Sequence, residues 1–157
     1  MGAGVVVGRP VPGSPLAGRW IPGGQAEGPL VGGWLPALAG MALDGSLPPT
    51  DGVVLFWEDV FLDEAGAAEA EQALRTLDAC GALRGIAALA VGRIHPQDQP
   101  AGFDVAEMIH RVLNPMYPVV VDLDFGHTNP VFTLPMGMAA RLDADAATFE
   151  ILEAATV

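Results

Sequence analysis

Three short apolar runs constrain this chain more than anything else in it: Val53–Trp57, Ile86–Gly92 and Val119–Asp124. Each is too short for a buried helix; the first two are apolar throughout, and the third runs from three valines into alternating acid and apolar positions. Such runs read as strands covered on both sides of a sheet. Helical spacing fills the first gap, from Glu64 to Cys80. There Ala70, Ala73, Leu74, Leu77 and Cys80 share one stripe, and Gly81 suits the C′ position. The second gap holds a polar loop, Arg93–Gly102, and then Asp104 as N-cap of a helix over Val105–Leu113, with Met108, Ile109, Val112 and Leu113 facing inward. Strand, helix, strand repeated in this way joins parallel neighbours. The expectation is an α/β domain with a central, mostly parallel sheet and flanking helices.

The remaining segments fit around that sheet. Leu30–Gly40 turns at Gly32-Gly33 and continues as a short helix, with Pro36 in its first turn and Leu35, Leu38 and Ala39 inward. Asp44–Gly52 is a loop by composition. Met136–Leu142 and Thr148–Leu152 flank Asp143–Ala147 and read as a C-terminal β-hairpin. Val5–Val7 and Arg19–Ile21 are short strands at a sheet edge, where proline is tolerated. Residues 1–23 form a Gly/Pro-rich lead-in, and the 157 residues make one domain.

Composition removes several function classes. The net charge is −12, and all seven basic residues are arginine. Without lysine there is no Schiff base and no P-loop. Without a basic stripe, nucleic acid and anionic membranes are poor partners. No apolar run reaches the roughly 18 residues that span a bilayer. The first residues lack the basic n-region of a signal peptide, so a cytoplasmic location is expected. One cysteine, Cys80, excludes an internal disulfide and a cysteine zinc site.

The chemistry gathers at strand ends. In open α/β sheets the functional crevice lies off the carboxyl ends of the strands. Val119–Asp124 runs into Phe125-Gly-His-Thr128, which places His127 just past the break at Gly126. Val53–Trp57 runs into Glu58 and Asp59. If the two strands lie close in the sheet, Glu58 can hold one imidazole nitrogen of His127 and leave the other as a base. A nucleophile to complete such a machine is missing. Ser14 and Ser46, the only serines, lie in loop sequence, and Cys80 sits on a helix stripe. The nucleophile is therefore expected from another domain or chain. Other groups draw simpler readings: Asp59 as a holder of backbone amides, His95 and His110 as solvated, and Arg93 as a salt-bridge partner or a substrate-carboxylate contact. A metal on Asp122, Asp124 and His127 ranks below the acid–imidazole pair.

Five segments then appear in an order and spacing that resemble the LD-carboxypeptidases, a serine peptidase family that includes the microcin C immunity peptidases. They are Gly24-Gln-Ala-Glu-Gly-Pro-Leu-Val-Gly-Gly33, Leu55-Phe-Trp-Glu-Asp-Val60, Leu89-Ala-Val-Gly-Arg93, Phe125-Gly-His-Thr128 and Leu134-Pro-Met-Gly137. The resemblance covers about residues 24–153. It implies a C-terminal domain of swivelling β/β/α type, with the nucleophilic serine on an absent N-terminal domain. Glu58 and His127 fall on the acid and the histidine of the family's Ser-His-Glu triad. The implied reaction is hydrolysis of the amide bond to a terminal D-amino acid, such as the D-alanine of a murein tetrapeptide in cell-wall recycling. The resemblance further implies no metal or organic cofactor, a homodimer, and inactivity of this chain alone.

Departures from the family pattern concern the substrate. Trp34 follows the two glycines where a small or amide residue is usual, and Phe61-Leu62 replace a stretch that usually carries a second acid. These leave room for a peptidyl nucleotide, as in the immunity peptidases, with Trp34 or a nearby aromatic stacking on a base. A non-catalytic binding module on the same scaffold is the alternative from a different class.

Overall fold

A computed structural model describes residues 5–6, 19–21, 23–61, 63–94, 98–129 and 131–153. The elements are β1 (Val5–Val6), β2 (Arg19–Ile21), β3 (Gln25–Trp34), α1 (Leu35–Asp44), β4 (Val54–Glu58), α2 (Glu64–Ala79), β5 (Ala88–Gly92), α3 (Val105–Leu113), β6 (Val119–Leu123), β7 (Ala139–Asp143) and β8 (Thr148–Ile151). Among the described residues they form one sheet, ordered β1-β8-β7-β3-β4-β5-β6-β2. Its centre, β3-β4-β5-β6, is parallel. The flanking pairs are antiparallel, and the hairpin β7–β8 closes one side. Both early segments, β1 and β2, lie at the two edges of the sheet, as expected.

Both faces of the central strands are dry. On one face Leu55, Trp57, Leu89, Val91, Val119 and Val121 pack against α1, α2 and α3. On the other, Val54, Phe56, Ala88, Ala90 and Val120 meet Ala140, Leu142, Phe149 and Ile151 of the hairpin. This explains why β4 and β5 show no alternation. Each fully buried side chain of the size of Leu or Phe contributes on the order of 1.5–3 kcal/mol. The helix starts follow their sequences: Asp63 accepts from the Gly66 N–H at 2.9 Å, and Asp104 from Ala106 and Glu107 at 2.8 and 3.1 Å.

Four expectations need correction. Gly32-Gly33 is no turn: β3 runs straight through both glycines to Trp34, and α1 starts at Leu35. Glycine is there because β3 and β4 touch. A Cβ on Gly32 would sit 1.9 Å from the Phe56 carbonyl oxygen. Cys80 is exposed, not packed in the α2 stripe, because it is the C-cap, where the chain has left the helix face. Val112 and Leu113 pack against the core but are only partly buried, at the end of α3. The hairpin begins at Ala139, with Met136 exposed before it. Ser14 and His95 lie outside the described residues.

Candidate functional site

Glu58 ends β4 and His127 follows β6, with only β5 between those two strands. His127 Nδ1 lies 2.7 Å from Glu58 Oε2, across 69 positions of sequence. Glu58 is largely enclosed, whereas most of the His127 ring is in solvent. The carboxylate can thus fix one ring nitrogen and leave Nε2, on a ring mostly in solvent, for a reacting group.

Two glycines open the path between these residues. Gly126 has φ +85°, a left-handed conformation, and a Cβ there would meet Glu58 Cβ at 2.6 Å and Oε2 at 2.9 Å. On the intervening strand, a Cβ on Gly92 would lie 2.7 Å from the Phe125 carbonyl oxygen and 3.1 Å from Glu58 Cβ. Glu58 therefore reaches His127 over a floor made of bare backbone. Sequence reasoning singled out neither glycine for this role. Their positions just past or at strand ends, inside the Leu-Ala-Val-Gly and Phe-Gly-His segments, were the available signal.

Asp59 sits behind the pair, 8% exposed. Its Oδ1 accepts from the Trp34 indole N–H at 2.9 Å and from the Val60 N–H at 2.8 Å. Burial pushes its carboxyl above the usual range. The two hydrogen bonds oppose that, the nearby Glu58 adds to it, and His127 opposes it. Asp59 thus holds a backbone amide, as expected, and also an aromatic ring. Trp34 is 54% exposed and is the register partner of Glu58 at the carboxyl ends of β3 and β4.

Arg93 and Asp124 form a salt bridge, with Asp124 3% exposed. The Arg93 N–H also donates to the Leu123 carbonyl at 2.7 Å, and the Phe132 N–H to the Asp124 carbonyl at 2.6 Å. Arg93 is thereby tied to the strand that carries the His127 loop. Asp124 is spent on that pair and Asp122 lies half-buried on the strand. Among the described residues no group of three or more His, Cys, Asp or Glu side chains is arranged to hold a metal. His110 is exposed on α3. A shallow cavity of about 270 Å³ beside Cys80 is lined by Leu47, Thr50 and Ala82, before the amino end of β4, away from Glu58.

The architecture and the rim it presents define an α/β domain with an acid–histidine pair at the carboxyl edge of its parallel strands. The sequence profile of the LD-carboxypeptidase C-terminal domain matches residues 27–142, and the chain belongs to that family. It is 34% identical over 146 residues to the proposed carboxypeptidase slr1534 of Synechocystis, covering 90% of this chain and 48% of that protein. It is 28% identical over 130 residues to the proposed carboxypeptidase YocD of Bacillus subtilis, covering 82% and 39%. The muramoyltetrapeptide carboxypeptidase of Oxalobacter formigenes superposes with a TM-score of 0.68 at 30% identity, covering 88% of this chain and 50% of that one. The microcin C7 self-immunity protein MccF shares the fold, with a TM-score of 0.76 at 24% identity and 90% and 43% coverage. The chain thus spans about half the length of the curated relatives it matches. No helix among the described residues is long and apolar enough to cross a membrane.

Proposed function

We propose that this chain is the acid- and histidine-supplying half of a serine-type LD-carboxypeptidase. The observation that carries the reading is the 2.7 Å contact between Glu58 Oε2 and His127 Nδ1, with the other face of the imidazole open. The nucleophilic serine belongs to an N-terminal domain, which accords with relatives about twice this length. In the reaction, the serine hydroxyl attacks the carbonyl carbon of the amide to a terminal D-amino acid. His127 Nε2 takes the hydroxyl proton as the Oγ–C bond forms, and Glu58 stabilises the resulting imidazolium through Nδ1–H. The same imidazolium returns the proton to the leaving amine. Water then hydrolyses the acyl-serine by the same route in reverse. The exposed apolar residues Val131, Phe132 and Met136, on the loop after His127, suit a surface that meets the nucleophile domain.

The substrate proposed is a murein tetrapeptide, with release of D-alanine in the cytoplasm. The test is D-alanine release by this chain alone and by a protein joining it to a nucleophile-bearing N-terminal half. Turnover by the joined protein and none by the chain alone is expected. Comparable turnover by the 157 residues alone would overturn the missing-nucleophile argument.

A further inference from the structure

β6 does not run straight into the His127 loop. Leu89 and Ala90 of β5 pair with Val119 and Val120, but Gly92 pairs with Leu123, so β6 carries one extra residue over the same span. Asp122 lies in that span with φ +64°, a left-handed conformation that Asp tolerates better than most side chains. This is a β-bulge, which re-aims the side chains beyond it. The core records the change. Val119 and Val121 face the helices, and strict alternation would send Leu123 and Phe125 there too. They lie instead with Val120 against the hairpin. Asp124, between them in sequence, is buried against Arg93.

Asp124 is also where the loop closes. Its carbonyl accepts from the Phe132 N–H at 2.6 Å, so the chain entering His127 and the chain leaving it meet at one residue. Arg93 holds that residue by its side chain, and holds the preceding Leu123 carbonyl by its backbone N–H at 2.7 Å. Arg93 directly follows Gly92, where a Cβ would meet Glu58 Cβ at 3.1 Å. It thus stands at the end of the one strand that separates β4 from β6. A buried ion pair contributes little net stability, because desolvation offsets the attraction. Its charge-assisted contact is directional, however, and fixes position in a way that an apolar contact does not. We infer that Arg93 is a positioning residue: through Asp124 it holds the base of the His127 loop at the distance from Glu58 that the acid–imidazole contact needs. The inference rests on Glu58 and His127 being the working pair, but its first readout needs no turnover, so the two can fail separately.

The experiment uses the 157-residue chain, ¹⁵N-labelled at its three histidines, and reads the His127 Nδ1–H held by Glu58. His127→Ala assigns that signal. The decisive variant is Arg93→Leu with Asp124→Leu, which removes both charges and leaves an apolar pair. It should unfold near the wild-type temperature and yet lose the Nδ1–H signal. In the joined two-domain protein it should lower kcat for D-alanine release from a murein tetrapeptide on the order of 10²-fold with KM little changed, because misplacing a catalytic group by about 1 Å costs that much. A purely structural pair would instead give back turnover together with stability. Arg93→Lys, which keeps a charge on Asp124 and so folds whether or not the leucine pair does, should retain the signal and a kcat closer to wild type than to the double variant. Absence of the signal from wild type, its retention in the double-leucine variant, or its loss in Arg93→Lys would overturn the inference. If the joined wild-type protein releases no D-alanine, the catalytic reading fails, and the Nδ1–H comparison still decides the positioning.

Discussion

Replacing Gly126 by alanine tests the floor on which Glu58 reaches His127. Two costs are separable. The first is conformational: φ is +85°, and a Cβ in the left-handed region costs about 1–2 kcal/mol. The second is steric. The new Cβ would lie 2.6 Å from Glu58 Cβ and 2.9 Å from Oε2, whereas carbon contacts relax to about 3.5–4.0 Å. The glutamate must therefore retreat by about 1 Å, enough to break its hydrogen bond. Gly137 supplies the control, since its φ is +81° and a Cβ there meets nothing within 4 Å. Gly137→Ala should show the conformational cost alone. Gly126→Ala should lose about 2 kcal/mol more, which for a domain of this size is roughly 4–8 °C in Tm. Calorimetry gives the difference, and the proton resonance of the His127 Nδ1–H gives the cause: present in wild type and Gly137→Ala, absent in Gly126→Ala. Equal Tm values, or a retained Nδ1–H signal in Gly126→Ala, would refute the reasoning.

Other perturbations follow from the same contacts. Arg93→Leu should leave the buried Asp124 carboxylate unpaired and cost about 3–5 kcal/mol in urea unfolding, while Arg93→Leu with Asp124→Leu should recover most of it. Asp59 has a carboxyl raised above its ordinary 3.8, so its contribution to stability is present below that value and is lost as pH rises through the raised one. Asp59→Asn keeps an oxygen for Trp34 and Val60 but cannot ionise. It should be more stable than wild type at about pH 7 and gain nothing at about pH 3. Phe149, fully buried where the hairpin covers the sheet, should cost about 3–5 kcal/mol as Phe149→Ala by thermal unfolding.

What could be read from the residues followed how local the cause was. The three parallel strands were visible because burial on both faces makes β4 and β5 apolar almost throughout and opens β6 on three valines. The caps at Asp104 and Gly81 were visible because they are chemistry within one turn. β3 was not, because its sequence reports on another strand: Gly32 is glycine on account of the Phe56 carbonyl across the ladder. Cys80 was misplaced because a stripe of helical spacing does not say where the helix stops. In the site, strand ends put Glu58 and His127 at one rim on the condition that their strands lie close in the sheet, and the family resemblance paired them. The Trp34–Asp59 hydrogen bond and the clearances over Gly92 and Gly126 are tertiary, and no spacing announces them.

The central claim is that Glu58 and His127 act as one unit. Its most direct measurement is kcat/KM for D-amino acid release by the joined two-domain protein carrying Glu58→Gln, His127→Ala, and both. Each single change should cost on the order of 10⁴-fold, and the pair little more than the larger of the two. Losses that multiply, or a Glu58→Gln variant with near-normal turnover, would contradict the claim.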